Sequence, residues 1–357
     1  MKKVTVLHDF DGKPYFKALE KVAEVTYLNT RPIRFMLRDL IKHRKIQSET
    51  LQSLFFLFKL PFIRRETILL GMAPFNARLL IYSWLCKHNR VYLHTSWHQW
   101  QGEVPFEYPG LVRGWLKRAW RRLLPNFAGA VAVTSETKRS LSQFLPELEE
   151  RIVTIPHVVD IDPIDDDTFE HKWADVPDSL LFTGRLTAAK GVRTYLDVAH
   201  YAQEHFPQVS FHMAGRGEME NEINDYLRSH QNLRCHGFIS DREQLQALMA
   251  QSHFLLLPSR RVNGWEELFG LVVIEAMSQG CVVIATDHIG PREIIAHTEN
   301  GLLCTEDDFV EIVKRVLGNL HSDRILYAEM ARKALADSRN YSMKIVANKW
   351  LDLINKF

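Results

Sequence analysis

Two glutamates in the second half of the chain are the residues best suited to chemistry. Glu267 and Glu275 lie eight positions apart, and Phe269-Gly270 between them predicts a helix start whose free N–H groups suit an anion. Glu275 then lies two turns inside the helix, within the apolar run Leu271–Met277. A carboxylate there must accept hydrogen bonds, and ribose hydroxyls would serve as donors. The alternatives are that Glu267 is a solvated charge in a loop and that Glu275 lies on a solvent-exposed stripe of the helix.

Two cations follow an earlier predicted strand of the same half. Gly184 permits a tight turn at the end of that strand, and Arg185 and Lys190 come before the next helix. Cations at the carboxyl end of a strand suit a diphosphate, although a β–α turn with two solvated cations has the same pattern. Gly215 opens a similar turn, but Glu220 occupies the place of the last glycine of a dinucleotide-binding fingerprint, so this fragment alone is weak evidence.

A histidine occupies the corresponding position in the first half. His94 directly follows the apolar run Val91–Leu93, which places it at a strand's carboxyl end, where ligands of parallel sheets bind. His98 is a rival one helical turn later, and a structural role is the alternative for either imidazole. The strings at 9–11 and 160–162 match the Asp-x-Asp pattern of metal sites, but one lies near the start and the other in an acidic stretch. We therefore expect no metal site.

Two stretches of the first half combine cations with large apolar side chains. Leu111–Leu124 predicts a basic helix, and His43–Arg65 places basic clusters on both sides of an aromatic run. Tryptophans beside cations suit a membrane interface, where each cation contributes about 1 kcal/mol of attraction to anionic lipid. The alternative for each stretch is a core-facing helix with solvated charges. The membrane-face candidates are Trp115, Lys117, Arg118, Trp120, Arg121 and Arg122.

The small net charge of +2 conceals an uneven distribution. Residues 1–160 carry 25 Lys and Arg against 14 Asp and Glu, whereas residues 161–357 carry 20 against 29. A basic half favours anionic lipid, an anionic substrate or nucleic acid as a partner. Because no helix-turn-helix, zinc-finger or RNP-like motif is present, nucleic acid is not expected. Four scattered cysteines without a C-x-x-C pair predict neither a zinc site nor disulfides and agree with a reducing cytosol.

Strand-like and helical stretches alternate along the chain. This pattern predicts an α/β protein of two Rossmann-like, doubly wound domains facing an interdomain cleft. We expect a first domain at 1–160, an acidic linker at 161–178, a second domain at 179–340 and a closing helix at 341–357. The chain does not begin with a signal-peptide pattern, and its longest apolar stretch is too short to span a bilayer.

Taken in order, the motifs of the second half resemble the retaining glycosyltransferases of family 4, which have the GT-B fold. The resemblance runs from about Leu181 to Val316, and the ordered set is specific where its single members are not. Its members are G-R-L-x-x-x-K-G at Gly184–Gly191, a strand then glycines at Val209–Gly217, H-G-F-I-S at His236–Ser240, Leu257-Pro258-Ser259, Glu267 with Glu275, E-A-M-x-x-G at Glu275–Gly280, and Gly301-Leu302-Leu303.

The resemblance implies a role for each matched residue. Arg185 and Lys190 would hold the diphosphate of a nucleotide sugar, Glu275 would bind its ribose, and Glu267 would contact the donor sugar. In the first half, His94 would contact the sugar. The remaining donor-binding positions are Phe269, Gly270 and Leu271 by the phosphates, Phe238 and Ile239 near the base, Gly215 at its turn, and Gly12 in place of the family's Gly-rich loop.

The resemblance also implies a reaction. A hexosyl group would move with retention from a nucleotide-diphosphate sugar to a hydroxyl of a glycan or lipid-linked acceptor, without metal or cofactor, because fixed cations would stabilise the leaving diphosphate. The first domain would bind the acceptor, at the cytoplasmic face of an anionic membrane, in surface polysaccharide or glycolipid assembly. The alternatives are a non-catalytic sugar-nucleotide-binding or scaffolding relative at the membrane, and another GT-B enzyme such as an epimerase or an inverting transferase.

Overall fold

A computed structural model describes residues 1–9, 13–101, 109–160, 162–174, 178–262 and 264–356, without the side chains of Pro14, Lys42 and His43. The chain divides into two compact units. The first unit comprises Met1–Val158 and Met343–Phe357, and the second unit comprises Val159–Ser342. The division lies close to the boundary expected at residue 160.

The first unit is built on a six-stranded sheet in which every paired strand is parallel. Its strands are β1 (Lys2–His8), β2 (Ala23–Asn29), β3 (Thr67–Gly71), β4 (Arg90–Thr95), β5 (Gly129–Ala132) and β6 (Ile152–Thr154), in the order β2-β1-β3-β4-β5-β6. Its helices are α1 (Lys17–Glu20), α2 (Pro32–His43), α3 (Ser48–Lys59), α4 (Leu79–Tyr82), α5 (Gly110–Leu123) and α6 (Ser135–Phe144). The strands are apolar runs buried by helices, which is typical of parallel sheets.

The second unit repeats this architecture. Its parallel sheet has the order β12-β11-β10-β7-β8-β9, from β7 (Ser179–Arg185), β8 (Ser210–Arg216), β9 (Leu233–Cys235), β10 (Phe254–Leu257), β11 (Val282–Thr286) and β12 (Gly301–Cys304). The helices are α7 (Asp166–Ala174), α8 (Val192–His205), α9 (Glu220–Leu227), α10 (Arg242–Ala250), α11 (Leu271–Ser278), α12 (Ile289–Ile294), α13 (Phe309–Gly318) and α14 (Arg324–Ser338). The strand order reverses between β10 and β7, the edge where such sheets bind ligands. The prediction of two doubly wound α/β units is confirmed.

The expectation of a linker across residues 161–178 was wrong for most of its length. The stretch contains helix α7, whose Phe169 and Trp173 lie one turn apart and are buried in the core of the second unit. The Trp173 indole N–H donates to the carbonyl oxygen of Gly280 at 3.1 Å. Acidic side chains on the exposed face had concealed this apolar pair. Helix α7 therefore belongs to the second unit.

The last helix returns to the first unit. Helix α15 (Met343–Asn355) packs on α1, and Val346 and Trp350 are buried in the same core cluster as Val4 and Leu19. Spacing of four residues along α15 gives the apolar face that this packing needs. Among the described residues, no helix is long and apolar enough to cross a membrane.

Candidate functional site

The carboxyl ends of β7 and β8 bring two arginines together in the second unit. Gly184 pairs with Gly215 across the strands, and Arg185 pairs with Arg216, so both guanidinium groups lie on one face of the sheet. Gly215 has a φ of 153°, and a Cβ there would overlap the carbonyl oxygen of Gly184. Glycine is therefore needed for close strand approach, which is the structural reason for Gly215. Sequence reasoning did not assign a role to Arg216.

Lys190 and Glu267, expected separately from the sequence, form an ion pair. Lys190 ends a short turn that follows β7, and its ammonium group contacts the Glu267 carboxylate. Both side chains are mostly buried, at 16% and 13% exposure, so water screens the pair less than it would at the surface. The Lys190 ammonium group also lies 5.1 Å from the ring centre of Trp265. The Lys190 ammonium group and the Glu267 carboxylate thus form one polar site, and the ammonium group lies close to the Trp265 ring.

The N-terminus of α11 lies directly after Glu267 in the chain. Gly270 takes a left-handed conformation, with φ of 73°, and begins the helix at Leu271. The capping position is Gly270 itself, which has no side chain to accept from the first N–H groups. The first N–H groups of α11 therefore point outward with the positive end of the helix dipole, which suits an anion. The Phe269 side chain is buried, so its contribution to a ligand site is its main chain.

Glu275 lies inside α11 with one ionic partner. Its side chain is 18% exposed, and Arg242 of α10 approaches its Oε1 at 3.3 Å. Burial raises the pKa of Glu275, and the charge of Arg242 partly opposes that rise. One arginine leaves lone pairs of this carboxylate available to further donors such as hydroxyl groups. The sequence predicted the carboxylate in an apolar run but not Arg242.

The segment expected near a nucleobase lies beside the strand-end arginines. Gly237 has a left-handed φ of 65°, and its carbonyl oxygen accepts from the N–H of Gly215 at 2.8 Å. The Phe238 ring is exposed, and the Arg216 guanidinium group lies 4.5 Å from its centre. Ile239 is half-buried. An exposed aromatic face beside a cation is a surface on which a planar base can stack.

The first unit has its own cavity of about 380 Å³ at the carboxyl ends of β1, β3 and β4. His94 lines it together with His8, His157 and Trp97, whereas His98 is not among the lining residues. The imidazole of His94 lies 6.0 Å from that of His8 and 6.3 Å from that of His157, measured between ring centres. Of the two histidine candidates, His94 is the one that faces this cavity.

Burial keeps the imidazoles of His94 and His157 neutral. Desolvation, together with the neighbouring His8 and His157, holds the pKa of His94 well below its ordinary value. Desolvation and His8 likewise lower the pKa of His157 to about 3. The tyrosine ring of Tyr15 stacks on His157 at 4.3 Å. Neutral imidazoles and an aromatic ring can donate to, accept from and stack on a sugar ring.

In the first Asp-x-Asp string, the carboxylate of Asp9 lies within the described residues. Asp9 is fully buried and receives hydrogen bonds from Arg78 at 2.8 Å and Arg31 at 3.1 Å. Although burial opposes it, hydrogen bonds from Arg78 and Thr30 and the arginine charges hold the pKa of Asp9 below its ordinary value. Gly12, Asp11 and Ile161 lie outside the described residues. Those described form no cluster of three or more His, Cys, Asp or Glu side chains that could hold a metal ion.

One residue of helix α5 that we expected on the membrane face, Trp120, is buried instead. Trp120 is only 1% exposed, packs among Phe75 and Trp100, and donates its indole N–H to the carbonyl oxygen of Asn76 at 3.0 Å. Five residues of helix turn a side chain by about 140°, so Trp115 and Trp120 lie on different faces. Trp115 is exposed, as are Arg118, Arg121 and Arg122, while Lys117 is half-buried with its ammonium group over Phe75.

Comparisons with known proteins agree with this arrangement. A family model described as "Glycosyl transferases group 1" matches residues 163–336. An uncharacterized glycosyltransferase of Haemophilus influenzae is 27% identical over 177 residues, which cover 49% of this chain and 48% of that protein. A phosphatidyl-myo-inositol mannosyltransferase of Mycolicibacterium smegmatis is 28% identical over 184 residues, or 50% and 46% of the two chains. The chain thus spans about half the length of these relatives.

A solved structure shares the whole fold. HepE of Anabaena, crystallised with UDP, superposes with a TM-score of 0.67 at 16% identity, and the match covers 100% of both chains. At that identity the likeness shows the fold alone. The family match, in contrast, covers the segment that carries Glu267, Glu275 and the strand-end cations. Residues 163–336 of this chain are therefore similar to the group 1 glycosyl transferases, whose family model they match.

Proposed function

We propose that the chain is a glycosyltransferase that moves a hexosyl group from a nucleotide-diphosphate sugar to a hydroxyl of a glycan or lipid-linked acceptor, with retention at the anomeric carbon. The proposal rests on the Lys190–Glu267 ion pair, whose glutamate lies in the chain segment that leads into the N-terminus of α11, where the capping residue is a glycine. A cation and a helix terminus suit the diphosphate, and a carboxylate suits sugar hydroxyls.

Each donor group has a proposed partner in the second unit. Arg185, Lys190 and the main chain of Phe269–Leu271 bind the diphosphate, and Arg216 joins them as a third strand-end cation. Glu275 binds the ribose hydroxyls, since its buried carboxylate has a single arginine partner. Phe238 offers its exposed face to the base, with Ile239 beside it in the chain. Glu267 binds hydroxyls of the sugar that is transferred.

The proposed reaction uses no metal ion and no cofactor. The bond between the anomeric carbon and the diphosphate oxygen breaks, and the acceptor oxygen forms its bond to the same face of that carbon. The acceptor proton passes to the leaving diphosphate. Lys190, Arg185 and the α11 N-terminus are fixed positive groups that stabilise the charge developing on that diphosphate. No side chain needs to act as a covalent nucleophile in this route.

The first unit supplies a second sugar-binding element in this proposal. The cavity at the ends of β1, β3 and β4 is lined by His94, His157, Tyr15 and Trp97. A sugar ring needs apolar faces for stacking and a few hydrogen-bonding groups at its edge, and a buried neutral imidazole provides the latter. We propose that His94 contacts a hydroxyl of a sugar bound there.

We propose that the acceptor is lipid-linked and that the chain binds peripherally to the cytoplasmic face of an anionic membrane. Residues 31–122 carry 17 Lys and Arg against 5 Asp and Glu. The same stretch exposes large apolar side chains on α2, α3 and α5 and in the turn after α3, and Phe58 and Phe62 are each 79% exposed. Examples are Ile33, Leu37, Ile41, Phe55, Phe58, Phe62, Leu111 and Trp115.

The apolar side chains and the cations belong to packed neighbours. Helix α2 packs on α3, the turn after α3 packs on Ser83–Lys87, and α4 packs on α5. Lys59 lies 4.3 Å over the Phe55 ring and Lys87 lies 3.5 Å over the Trp84 ring. Lysine side chains whose apolar stems lie along aromatic rings and whose ends are charged are suited to contact with lipid headgroups. The mannosyltransferase relative is named for a phosphatidyl-inositol substrate, which agrees with a lipid acceptor.

Cosedimentation with vesicles tests the membrane proposal. Binding to vesicles with anionic lipid is expected to exceed binding to neutral ones and to fall with salt. Charge reversal at Arg118, Arg121 and Arg122, or Phe58→Asp, should weaken it. Ile325→Asp is the control, since Ile325 is 77% exposed on α14 of the second unit. Binding that is indifferent to salt and to the first-unit variants contradicts the proposal, as does concentration-dependent self-association that Phe58→Asp abolishes.

Turnover of nucleotide sugars tests the catalytic proposal. A thermal-shift screen with UDP, GDP and other nucleoside diphosphates identifies the nucleotide, and release of that diphosphate from its sugars measures transfer. Transfer above background that Glu267→Ala abolishes excludes a non-catalytic binding or scaffolding role. NMR of the product separates a retaining transferase from an inverting one or an epimerase.

A further inference from the structure

Glu267 lies in a segment without helix or strand, so its position depends on contacts with other parts of the chain. Its main-chain N–H donates to Nδ1 of His288 at 3.1 Å. Its carbonyl oxygen accepts from the N–H of Gly290 at 2.8 Å. Both partners lie where the chain passes from β11 into α12. The main chain of Glu267 is therefore held on both sides by one short stretch.

The imidazole of His288 is fixed in one tautomer by its surroundings. His288 is fully buried. Because Nδ1 accepts the N–H of Glu267, the ring proton lies on Nε2, which is 3.2 Å from the Glu306 carboxylate and donates to it. Glu306 in turn accepts from the main-chain N–H of Arg261 at 3.0 Å and from its guanidinium group at 3.2 Å. The chain of hydrogen bonds thus runs from Arg261 through Glu306 and His288 to Glu267.

Close packing also holds the segment of Glu267 against the stretch that contains His288 and Gly290. A Cβ on Gly290 would overlap the main chain of Phe269, two residues after Glu267. The stretch 288–290 therefore packs directly against the segment that leads into α11. Hydrogen bonds and close packing together leave the Glu267 main chain little freedom. Its side chain is then directed toward Lys190 from a fixed base.

We infer that His288, oriented by Glu306, is a positioning residue for sugar transfer that acts through the main chain of Glu267. The inference rests on the proposed function of Glu267. His288 is fully buried and accepts a hydrogen bond from the main chain of Glu267, so it acts on the position of Glu267 and not on a ligand. Misplacement of a substrate-contacting group by about 1 Å lowers a rate on the order of a hundredfold. Loss of the imidazole should therefore lower kcat strongly and alter KM for the donor little.

The variants are chosen to separate positioning from folding. His288→Ala removes the acceptor for the Glu267 N–H. His288→Asn places an amide oxygen close to the position of Nδ1 and can restore that hydrogen bond without the one to Glu306. His253 provides the matched control, because it is also fully buried and its Nδ1 accepts the main-chain N–H of Ser179 at 3.3 Å. His253→Ala therefore removes an equivalent bond from the same unit, away from Glu267.

Two measurements on the full chain decide the inference. Hydrogen exchange of the Glu267 amide should be slow in the wild type and in His288→Asn, and at least tenfold faster in His288→Ala. In the transfer assay, kcat should fall roughly tenfold to a hundredfold in His288→Ala, recover largely in His288→Asn and remain near wild type in folded His253→Ala, with KM for the donor changing less than threefold.

Several results overturn the inference. Free exchange of the Glu267 amide in the wild type overturns it without any activity measurement. In the transfer assay, a wild-type kcat in His288→Ala overturns it, and so does an equal loss of kcat in His253→Ala. If the wild type transfers no sugar, the proposed function fails separately, and hydrogen exchange of the Glu267 amide still decides whether His288 holds it. If His288→Ala does not fold, the wild-type exchange rate and His288→Asn make the same decision.

Discussion

Replacing Glu267 with Gln is expected to tighten the binding of a nucleoside diphosphate while abolishing transfer. Without ligand, the Lys190 ammonium group is paired with the Glu267 carboxylate, and both side chains are mostly buried. A diphosphate that binds Lys190 must compete with this carboxylate and is repelled by its charge. Gln keeps the size of the side chain and an oxygen that can accept from the Lys190 ammonium group, but it removes the negative charge.

The expected gain follows from the ion pair that the diphosphate displaces. Measured coupling energies of ion pairs that water still reaches are about 0.2–1 kcal/mol. At the upper end, which suits a mostly buried pair, loss of about 1 kcal/mol corresponds to roughly fivefold tighter binding. Isothermal titration calorimetry with UDP, and with GDP if UDP does not bind, measures Kd for the wild type and for Glu267→Gln.

A neighbouring variant controls for net charge. Glu266 pairs with Arg261 at 3.5 Å, so Glu266→Gln removes one negative charge without freeing Lys190. Its Kd is expected to stay within twofold of the wild type. Equal or weaker binding by Glu267→Gln refutes competition for Lys190, and equal tightening by Glu266→Gln refutes its local origin.

Three further changes have defined outcomes. Gly215→Ala should lower Tm, since its Cβ overlaps the carbonyl oxygen of Gly184, and an unchanged Tm contradicts the close approach. Trp120→Ala should lower the free energy of unfolding in urea by about 3–5 kcal/mol, whereas Trp115→Ala at an exposed site should change it by less than about 0.5 kcal/mol. Because the pKa of His157 is lowered in the folded state, the unfolded state takes up a proton on this residue at a higher pH. The contribution of His157 to stability is therefore fully present above about pH 6.5 and decreases as the pH falls below that value. Unfolding measured at pH 7 and pH 5 should show a smaller difference in His157→Asn, and an unchanged difference contradicts this assignment.

The sequence predicted the parts of the site that depend on local pattern. A carboxylate inside the apolar run of α11 and cations after β7 are visible from residue order, because strand ends and helix starts fix where such side chains lie. The ion pair between Lys190 and Glu267 joins residues 77 positions apart, so only the sheet order brings them together. Arg216 was passed over because its motif matched a weak fingerprint, although its place at a strand end matched that of Arg185.

The remaining misses have distinct physical causes. Trp120 was grouped with Trp115 by composition, whereas its helical spacing from Leu116 predicts a shared buried face. The stretch expected to be a linker was assigned from its acidic residues. Phe169 and Trp173 within it have the spacing of a helix that packs on a core. His288 gave no local signal, because its role depends on close approach of a distant segment at Gly290. Strand β12 is short and begins with Gly301, which hides it from a search for apolar runs.

Retaining sugar transfer is tested most directly by NMR of the anomeric carbon, after the wild-type protein has reacted with a lipid-linked acceptor and the nucleotide sugar selected by thermal shift. We expect a new glycosidic bond with the same anomeric configuration as in the donor, and no such product with Glu267→Ala. A product of opposite configuration contradicts retention. Absence of any glycosidic product above background contradicts the assignment of this chain as a sugar transferase.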